Sequence, residues 1–256
     1  MKIALFSDVH GNLPALEAVL ADIEAQQVDA CYCLGDLVDF APWPNEVIEL
    51  LRSRHIPVLQ GNHDAGIGSN HVSFPFSGHA AVTQADGLQA IACTNAAITD
   101  RNRAYLRSLP HSLLLDMGQP APSLRILLTH GSPADVNQYI QQDYDEEALL
   151  TLLEDYGATM LCMSHTHLAY HRVLATEQAS QPIYKHVLNV GSVGQPKDGD
   201  PRAAWCLLEV TETSSLAVAD SMRVQPYRVA YDLARTVAAI KASAIPDSYA
   251  EALARA

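Results

Sequence analysis

Cysteine is scarce in this 256-residue chain, and the few residues present follow no regular spacing. The five cysteines are odd in number, which argues against a disulfide scaffold. Cys31 and Cys33 alternate within DACYCLGD, and no second cysteine pair accompanies them. We therefore interpret them as small buried hydrophobic residues rather than as a metal or redox pair.

Long apolar runs and cationic side chains are also lacking. No apolar stretch approaches the roughly 20 residues that span a bilayer, and the first residues lack the apolar segment of a secretory signal. Lysine and arginine number 16 against 29 aspartate and glutamate, and the net charge of −13 opposes binding to nucleic-acid polymers or anionic membranes. We expect a cytoplasmic protein with a small ligand, and the sequence does not determine its oligomeric state.

Apolar residues are plentiful, at 48% of the chain, and their spacing predicts alternating strands and helices. Residues 2–7 form a near-continuous apolar run, as in a strand covered on both faces. Residues 12–27 have helical spacing with Asn12 as the N-cap. Further strands at 29–34 and 56–60 enclose a helix that follows PWPNE, so this part of the chain reads as βαβαβ.

The remaining pattern predicts helices at 84–109, interrupted near Thr99 and Asp100, then at 143–156 and 231–244, with a short one after that. Strands are predicted at 112–117, 124–130, 159–165, 171–175, 183–191, 203–210, 215–219 and 223–229. The fold class expected is α/β: two packed mixed β-sheets flanked by helices, a four-layer α/β/β/α sandwich. We expect a single domain over residues 1–256, with a loop and helical insertion at about 65–110 as a cap over the site.

Five short polar signatures fall where predicted strands give way to loops. They are SDVHGN at 7–12, GDLVD at 35–39, GNHD at 61–64, THGS at 129–132 and SHTH at 164–167. The carboxyl ends of parallel strands meet along one edge of a sheet, which is where open α/β sheets bind ligands. A single histidine at a strand end is most often structural, but the order and shared placement of these five signatures indicate one site.

Spacing within the signatures suits metal binding. Alternate residues of an extended chain point the same way, so Asp8 and His10 can bind one ion, and His165 and His167 can act as a pair across two ions. Asp36 follows a glycine and offers two oxygens, with which it can bridge two ions.

Neighbouring residues of an extended chain point apart, so Asn62 can face a metal while His63 faces what the metal activates.

In their order, the signatures resemble those of the calcineurin-like metallophosphoesterase superfamily, over essentially the whole chain. GDLVDFAPWPNEV, LLTHGSP and NVGSVGQPKDGDPRAAW further resemble a bacterial and archaeal branch of small phosphoesterases.

The resemblance implies a role for each residue of the signatures. One metal would be held by Asp8, His10, Asp36 and His167, and the other by Asp36, Asn62, His130 and His165. His63 would lie off the metals as a catalytic residue that contacts the transferring phosphate and assists the leaving oxygen, with Asp64 fixing its orientation.

The sequence departs at three places from the families that it resembles. Ser164 replaces the glycine of G-H-x-H, and Val190 stands where the branch has proline. Residues 39–41, Asp-Phe-Ala, replace the branch's Gly-Tyr-Gly. Asp39 matches the protein phosphatases, but these follow it with a phosphate-binding arginine, and Phe40 in that position argues against protein phosphatase activity.

The implied ligands are four imidazoles, two carboxylates and one amide, a set that suits Mn²⁺, Fe, Zn²⁺, Ni²⁺ or Co²⁺ better than Ca²⁺ or Mg²⁺. We expect two divalent transition-metal ions as cofactors. A hydroxide bridging them would attack phosphorus while His63 protonates the leaving alkoxide.

The sequence therefore predicts a metal-dependent phosphoric ester hydrolase acting on a phosphodiester or a nucleotide-type substrate. Three alternatives stay open: a dinucleoside polyphosphate hydrolase of the Ap4A type, a phosphomonoesterase, and a non-catalytic metal-binding interaction scaffold. For the first, Phe74 and Phe76 would stack a nucleobase, although hydrophobic packing is the other interpretation. The presence of His63 argues against the scaffold.

Three residues outside the implied metal ligands are candidates for contacts to substrate. Asp39, Lys197 and Arg202 are candidates, the last two for a second phosphate or the leaving group, with surface ion pairing as the alternative. His71 and His79 lie in the predicted insertion, and we interpret them as solvated.

Overall fold

In this computed structural model, residues 1–76, 82–118, 123–178 and 181–255 are described. Within these ranges the chain forms nine strands and eight helices. The strands are β1 Lys2–Phe6, β2 Ala30–Cys33, β3 Ser112–Asp116, β4 Arg125–Thr129, β5 Met160–Met163, β6 Tyr170–Gln178, β7 Gln181–Asn189, β8 Ala203–Glu209 and β9 Arg223–Val229. The helices are α1 Leu13–Ala25, α2 Pro44–Ser53, α3 Asn62–Gly68, α4 Gln84–Ala97, α5 Asp100–Ser108, α6 Glu146–Asp155, α7 Leu233–Lys241 and α8 Asp247–Arg255.

The strands form two mixed sheets, as the sequence predicts. The four-stranded sheet has the order β2-β1-β8-β9, with β1 parallel to β2 and antiparallel to β8. The five-stranded sheet has the order β3-β4-β5-β7-β6, and only its central strands β4, β5 and β7 are parallel. The parallel strands β1, β2, β4 and β5 carry four of the five polar signatures at their carboxyl ends, and the fifth, GNHD, lies at the start of α3.

Apolar side chains separate the layers. Ile3 and Leu5 of β1 pack with Leu128 and Met160 of the other sheet, so the core of the domain lies between the sheets. The opposite face of β1, with Phe6, packs under α1 and α2, and the outer face of the five-stranded sheet packs under α6. The order helix, sheet, sheet, helix confirms the four-layer expectation.

Asn12 connects the first helix to the C-terminal part of the chain. Its Oδ1 accepts a hydrogen bond from the backbone N–H of Ala15, which caps α1 as predicted. The same oxygen accepts from Thr236 of α7, while the side-chain amide donates to the carbonyl of Gly194. The loop between β1 and α1, which contains two of the predicted metal ligands, is therefore tied to distant segments.

Two predicted strands are wrong. Residues 56–60 form only one bridge, between Val58 and Cys33, because Pro57 has no N–H and the chain enters α3 directly afterwards. Residues 215–219 form turns, because hydroxyls take the backbone groups: the backbone N–H of Ser215 donates to Ser221 Oγ at 2.8 Å, and this hydroxyl donates back to the Ser215 carbonyl at 2.7 Å. No helix in the described ranges is long and apolar enough to cross a membrane.

Candidate metal centre

The structure brings together the seven predicted metal ligands, six of them after the carboxyl ends of β1, β2, β4 and β5 and Asn62 at the start of α3. All of them are buried: Asp8, His10, Asp36, Asn62, His130, His165 and His167. Three groups of donor atoms lie within 4.8 Å of one another and could hold a metal ion: Asp8 with His10 and His167, Asp36 with His130 and His165, and His10 with Asp36 and His63.

The first group surrounds one carboxylate oxygen. Asp8 Oδ1 lies 3.2 Å from His167 Nε2 and 3.7 Å from His10 Nε2. The two imidazole nitrogens are 3.2 Å apart. Three donors from two strand ends therefore converge on one point.

The second group surrounds His130. Its Nε2 lies 3.2 Å from Asp36 Oδ2, 3.1 Å from Asn62 Oδ1 and 3.1 Å from His165 Nδ1. Asp36 Oδ2 also lies 3.8 Å from His10 Nε2 of the first group. The carboxylate of Asp36 thus stands between the two groups, where the sequence predicts a bridging ligand.

Backbone carbonyls fix which nitrogen of each imidazole faces the centre. The Nδ1 atoms of His10, His130 and His167 lie 3.0, 3.1 and 2.6 Å from the carbonyls of Val38, Leu34 and Gln195, and Nε2 of His165 lies 3.2 Å from that of Asn137. A carbonyl only accepts, so the nitrogen facing it carries the hydrogen, and in a neutral imidazole the other nitrogen presents its lone pair to the centre. This arrangement is typical of metal-binding histidines.

Asp8 provides a further test of the fit to a cation. Its buried Oδ1 has no hydrogen-bond partner among the described residues, while Oδ2 contacts the hydroxyl of Ser164. That hydroxyl is also 2.8 Å from the carbonyl of Gly191. A buried carboxylate oxygen without a donor is unfavourable unless a cation faces it, so the residues present fit a metal ion.

The ligands converge by sharp backbone turns, not by the extended chain that the spacing suggests. Asp8, His10, Asp36, His165 and His167 all have positive φ, between 46° and 64°. This left-handed conformation costs a non-glycine residue about 1–3 kcal/mol. It is maintained by hydrogen bonds between loops, such as the one from the His10 N–H to the Asp36 carbonyl at 3.0 Å.

Asp64 joins two of these loops and does not orient His63 as expected from the resemblance. Its carboxylate accepts from the backbone N–H groups of Asp36 at 2.8 Å, Leu37 at 2.9 Å and Gly61 at 3.0 Å. The His63 N–H in turn donates to Asp36 Oδ1 at 2.9 Å. Asp64 therefore sets the distance between the loop after β2 and the start of α3.

The partner of the His63 ring is Asp39, whose Oδ2 lies 2.6 Å from Nδ1. Aromatic rings enclose the imidazole: Phe40 and Phe74 approach edge-on, with centroids 4.7 and 5.2 Å away. His63 is 3% exposed, so its orientation is set by packing and by one short hydrogen bond.

Burial and neighbouring charge act in opposite directions on the pKa values of the two carboxylates. Burial alone would raise both, but the interactions of Asp8 with His167 and His10 outweigh it and lower the pKa of Asp8 well below its usual range. For Asp36 the charges of His130 and His63 have the same effect. Both carboxylates are therefore ionised at neutral pH.

Two imidazoles are held neutral, as metal ligation requires. Burial and the nearby charge of His130 lower the pKa of His165 to about 3, and burial and the charge of Lys197 lower that of His167 to about 4. His130 differs, because Asp36 outweighs burial and raises its pKa to about 9. A cation held by His130 would compete with that proton.

The pKa of His63 is also raised. Burial opposes protonation, but the charge of Asp36 and the hydrogen bond and charge of Asp39 outweigh it. The imidazole therefore holds its proton to higher pH than an ordinary histidine.

The two cationic candidates lie in different surroundings. Lys197 is close enough to the centre that Asp8 and Asp36 raise its pKa against the larger effect of burial, with a net value of about 8. Arg202 is more than half exposed, and its Nε and Nη2 bind the Asp200 carboxylate at 3.0 and 2.6 Å. Arg202 thus forms the surface ion pair of the alternative interpretation.

Phe74 and Phe76 pack against glycines, which matches the packing interpretation. A Cβ on Gly66 would lie 2.2 Å from the Phe74 ring, and one on Gly87 would lie 2.0 Å from the Phe76 ring. His71 is exposed, and His79 lies outside the described residues.

Sequence reasoning missed the loop after β4. The carbonyl of Asn137 contacts His165, and the ring of Tyr139 stacks on His165 with centroids 4.0 Å apart. The contact of Asn137 is made by its backbone, so its side chain gives no signal in the sequence.

A fold with two mixed sheets and a cluster of buried histidines and carboxylates at one edge defines the class of this chain. A model of the calcineurin-like phosphoesterase family matches residues 1–169, and the chain belongs to that family.

Two solved structures and one curated protein are similar over nearly the full length of the chain. A metallophosphoesterase from Sphaerobacter thermophilus is 29% identical, with a TM-score of 0.73, covering 100% of this chain and 99% of its own. The hypothetical protein PH1004 from Pyrococcus horikoshii OT3 is 23% identical, with a TM-score of 0.78 and coverage of 98% and 97%, and supports the fold alone. The uncharacterized protein MJ0912 from Methanocaldococcus jannaschii is 27% identical, over 98% of this chain and 96% of its own.

Proposed function

We propose that this protein hydrolyses small phosphodiesters or nucleotide-type phosphoesters with two divalent transition-metal ions. The observation that carries the proposal is the position of Asp36 Oδ2, 3.2 Å from His130 Nε2 and 3.8 Å from His10 Nε2. One carboxylate oxygen thus faces a donor group on each side, as a ligand shared by two ions must. Family membership supports phosphoester hydrolysis in general.

Each ion would be held by residues whose donors already converge. The first would take Asp8, His10, Asp36 and His167, and the second Asp36, Asn62, His130 and His165. When bound, such ions supply positive charge for phosphoryl oxygens and lower the pKa of water. Imidazole-rich ligands favour Mn²⁺, Fe, Zn²⁺, Ni²⁺ or Co²⁺.

His63 would act as the proton donor to the leaving oxygen. Asp39 engages its Nδ1 at 2.6 Å, which leaves Nε2 as the ring nitrogen that can reach a substrate. Asp36 and Asp39 raise the pKa of His63, so the ring keeps its proton to higher pH than an ordinary histidine. A positioned acid of this kind contributes about 10²–10⁴-fold to the rate.

The charge around the centre favours a singly charged phosphodiester over a doubly charged monoester. Phe40 stands where the protein phosphatases have an arginine, and Arg202 is engaged by Asp200. Lys197 supplies a cationic side chain near the centre. Asp8 and Asp36 act to raise its pKa, and its charge lowers the pKa of His167. A phosphate group with one negative charge needs less compensation than one with two.

The test is turnover of bis(p-nitrophenyl) phosphate, p-nitrophenyl phosphate, ATP, a dinucleoside polyphosphate and a phosphopeptide, with metal analysis of the purified protein. We expect metal-dependent turnover that is fastest with the diester and is lost in His63→Asn, while His111→Asn, a substitution of an exposed histidine, leaves it unchanged. Chromatography of the products identifies any dinucleoside polyphosphate activity. If no phosphoester is turned over with any of the five metals, the proposal is wrong and a binding scaffold is favoured.

A further inference from the structure

A chain of ring contacts runs from the C-terminal helix to the metal centre. The rings of Phe40 and Tyr249 of α8 stack, with centroids 4.6 Å apart and an interplanar angle of 20°. The Phe40 ring also lies 4.4 Å from the ring of His10 and 4.7 Å, edge-on, from that of His63. All four side chains are at most 5% exposed, so these contacts are made inside the protein.

Phe40 has a backbone conformation that depends on its surroundings. Asp39 and Phe40 have consecutive positive φ angles of 72° and 68°. Each costs about 1–3 kcal/mol in a non-glycine residue and persists only where packing determines it. Because Asp39 precedes Phe40 directly, a relaxation of Phe40 also moves the carboxylate that binds the His63 ring.

Helix α8 has its own attachments and can act as a fixed support. Ser248 donates to Asp86 Oδ2 at 3.1 Å, and the same carboxylate caps the start of α4 by accepting from the Thr83 N–H. Tyr249 packs in a cluster with Ile240 of α7 and Leu253 of α8. This helix lies outside residues 1–169, the part matched by the family model.

We propose that Tyr249 is a positioning residue that acts through Phe40. It holds Asp39 and the ring of His63 in the orientation in which His63 donates its proton to the leaving oxygen. The inference rests on the proposed function of His63, and it assigns a part in that function to a helix with no predicted ligand.

The kinetic test compares Tyr249→Leu with Tyr249→Phe on two phosphodiesters that share one alkyl group, one with p-nitrophenol and one with phenol as leaving group. Proton donation matters most for the poorer leaving group. In Tyr249→Leu we expect kcat for the phenyl ester to fall about 10-fold, kcat for the p-nitrophenyl ester to change little, and KM to stay nearly constant. Tyr249→Phe keeps the stack and should behave as wild type.

The matched control is Tyr227→Leu. Tyr227 stacks on Trp205 with centroids 4.4 Å apart and an interplanar angle of 9°, in a contact that involves none of the residues of the metal centre. The control should lose stability without altering the ratio of kcat for the two esters. Bound metal is measured in each variant, because Phe40 also contacts His10.

A second readout does not depend on turnover. Histidine-labelled protein, loaded with diamagnetic Zn²⁺ and again after chelation, gives an NMR signal for His63 that His63→Asn identifies. We expect Tyr249→Leu to shift or broaden this signal and Tyr227→Leu to leave it unchanged. In the His63→Asn background, Tyr249→Leu should cause no further loss of kcat.

The outcomes separate the two proposals. An inactive wild type contradicts the proposed function, and the NMR signal then still tests the link between Tyr249 and His63. An active wild type with an unchanged ester ratio and an unchanged His63 signal in Tyr249→Leu overturns the inference, as does an effect that arises only through lost metal. If Tyr249→Leu fails to fold, Phe40→Leu is examined by the same measurements.

Discussion

Asp39 and His63 form a buried pair in which Oδ2 and Nδ1 are 2.6 Å apart, and both residues are at most 3% exposed. The other oxygen of Asp39 has no hydrogen-bond partner among the described residues. Among the described residues, the Asp39 carboxylate therefore makes its hydrogen bond to the His63 imidazole alone. This hydrogen bond and the charge of Asp39 account for part of the raised pKa of His63.

Replacing Asp39 by Asn should move the alkaline limb of the pH–rate profile to lower pH. The pKa of His63 is raised above 6.5, so its proton-donating form is present below the raised pKa and is lost as pH rises through it. Without the Asp39 charge, that loss begins at lower pH, and kcat should fall about 100-fold as the ring loses its orientation. The profile of kcat/KM measures the shift, with Asp220→Asn as an exposed control. An unmoved limb would show that His63 is not the acid.

Replacing Gly61 by alanine should displace Asp36, the ligand proposed to be shared by two ions. A Cβ there would lie 2.0 Å from Asp36 Oδ1 and 2.4 Å from its backbone nitrogen, so Asp36 must move. We expect Gly61→Ala to bind less metal and to lose at least about 100-fold in activity, as misplacement of a catalytic group by about 1 Å causes. Gly68→Ala, at the other end of α3, is the control. Full metal content in Gly61→Ala would contradict the position of Asp36.

Ser164 stands where the families that this sequence resembles have glycine, and its hydroxyl should strengthen metal binding. Its hydroxyl contacts Asp8 Oδ2 and leaves Oδ1 directed at His10 and His167. Loss of such an outer hydrogen bond lowers metal affinity by about 10–100-fold. Titration calorimetry of Ser164→Ala and Ser164→Gly should show this loss, and Ser108→Ala should not. Equal affinity in all four proteins would assign Ser164 to packing alone.

A buried histidine away from the centre should make the protein less stable in acid. Burial and the nearby His171 lower the pKa of His186 from 6.5 to about 4, and its Nε2 has no partner among the described residues. The unfolded chain gains a proton below pH 6.5 that the folded chain does not, so stability falls by about 2 kcal/mol between pH 7.5 and 5.

Urea unfolding of wild type and His186→Leu between these pH values measures that contribution. The stability of His186→Leu relative to wild type should rise by about 2 kcal/mol as the pH falls to 5. Titrating groups away from this pair cancel in the difference, whereas His171, whose Nε2 lies 3.1 Å from His186 Nδ1, loses its partner in the variant. His111→Leu replaces an exposed histidine and should show no such trend, and a parallel pH dependence for His186→Leu would contradict the prediction.

The alternation of apolar strands and polar signatures is local, so the sequence alone predicts the two sheets and the edge at which the signatures meet. It also predicts which residues converge there, because ligand types such as Asp8, His10 and Asp36 lie shortly after strand ends. The strand predicted at 215–219 was wrong because the hydroxyls of Ser215 and Ser221 bind backbone groups across a turn, and residue pattern does not record that competition.

The partners of the converging residues are decided by the tertiary structure. Asp64 is adjacent to His63 in sequence, yet Asp39, 24 residues away, binds the ring, because Asp64 is engaged by three backbone N–H groups. The carbonyls that orient the imidazoles and the stacking of Tyr249 on Phe40 likewise join distant segments. Sequence determines which chemical groups are present and roughly where each strand ends, but hydrogen bonds and ring contacts between distant segments form only once the layers have packed.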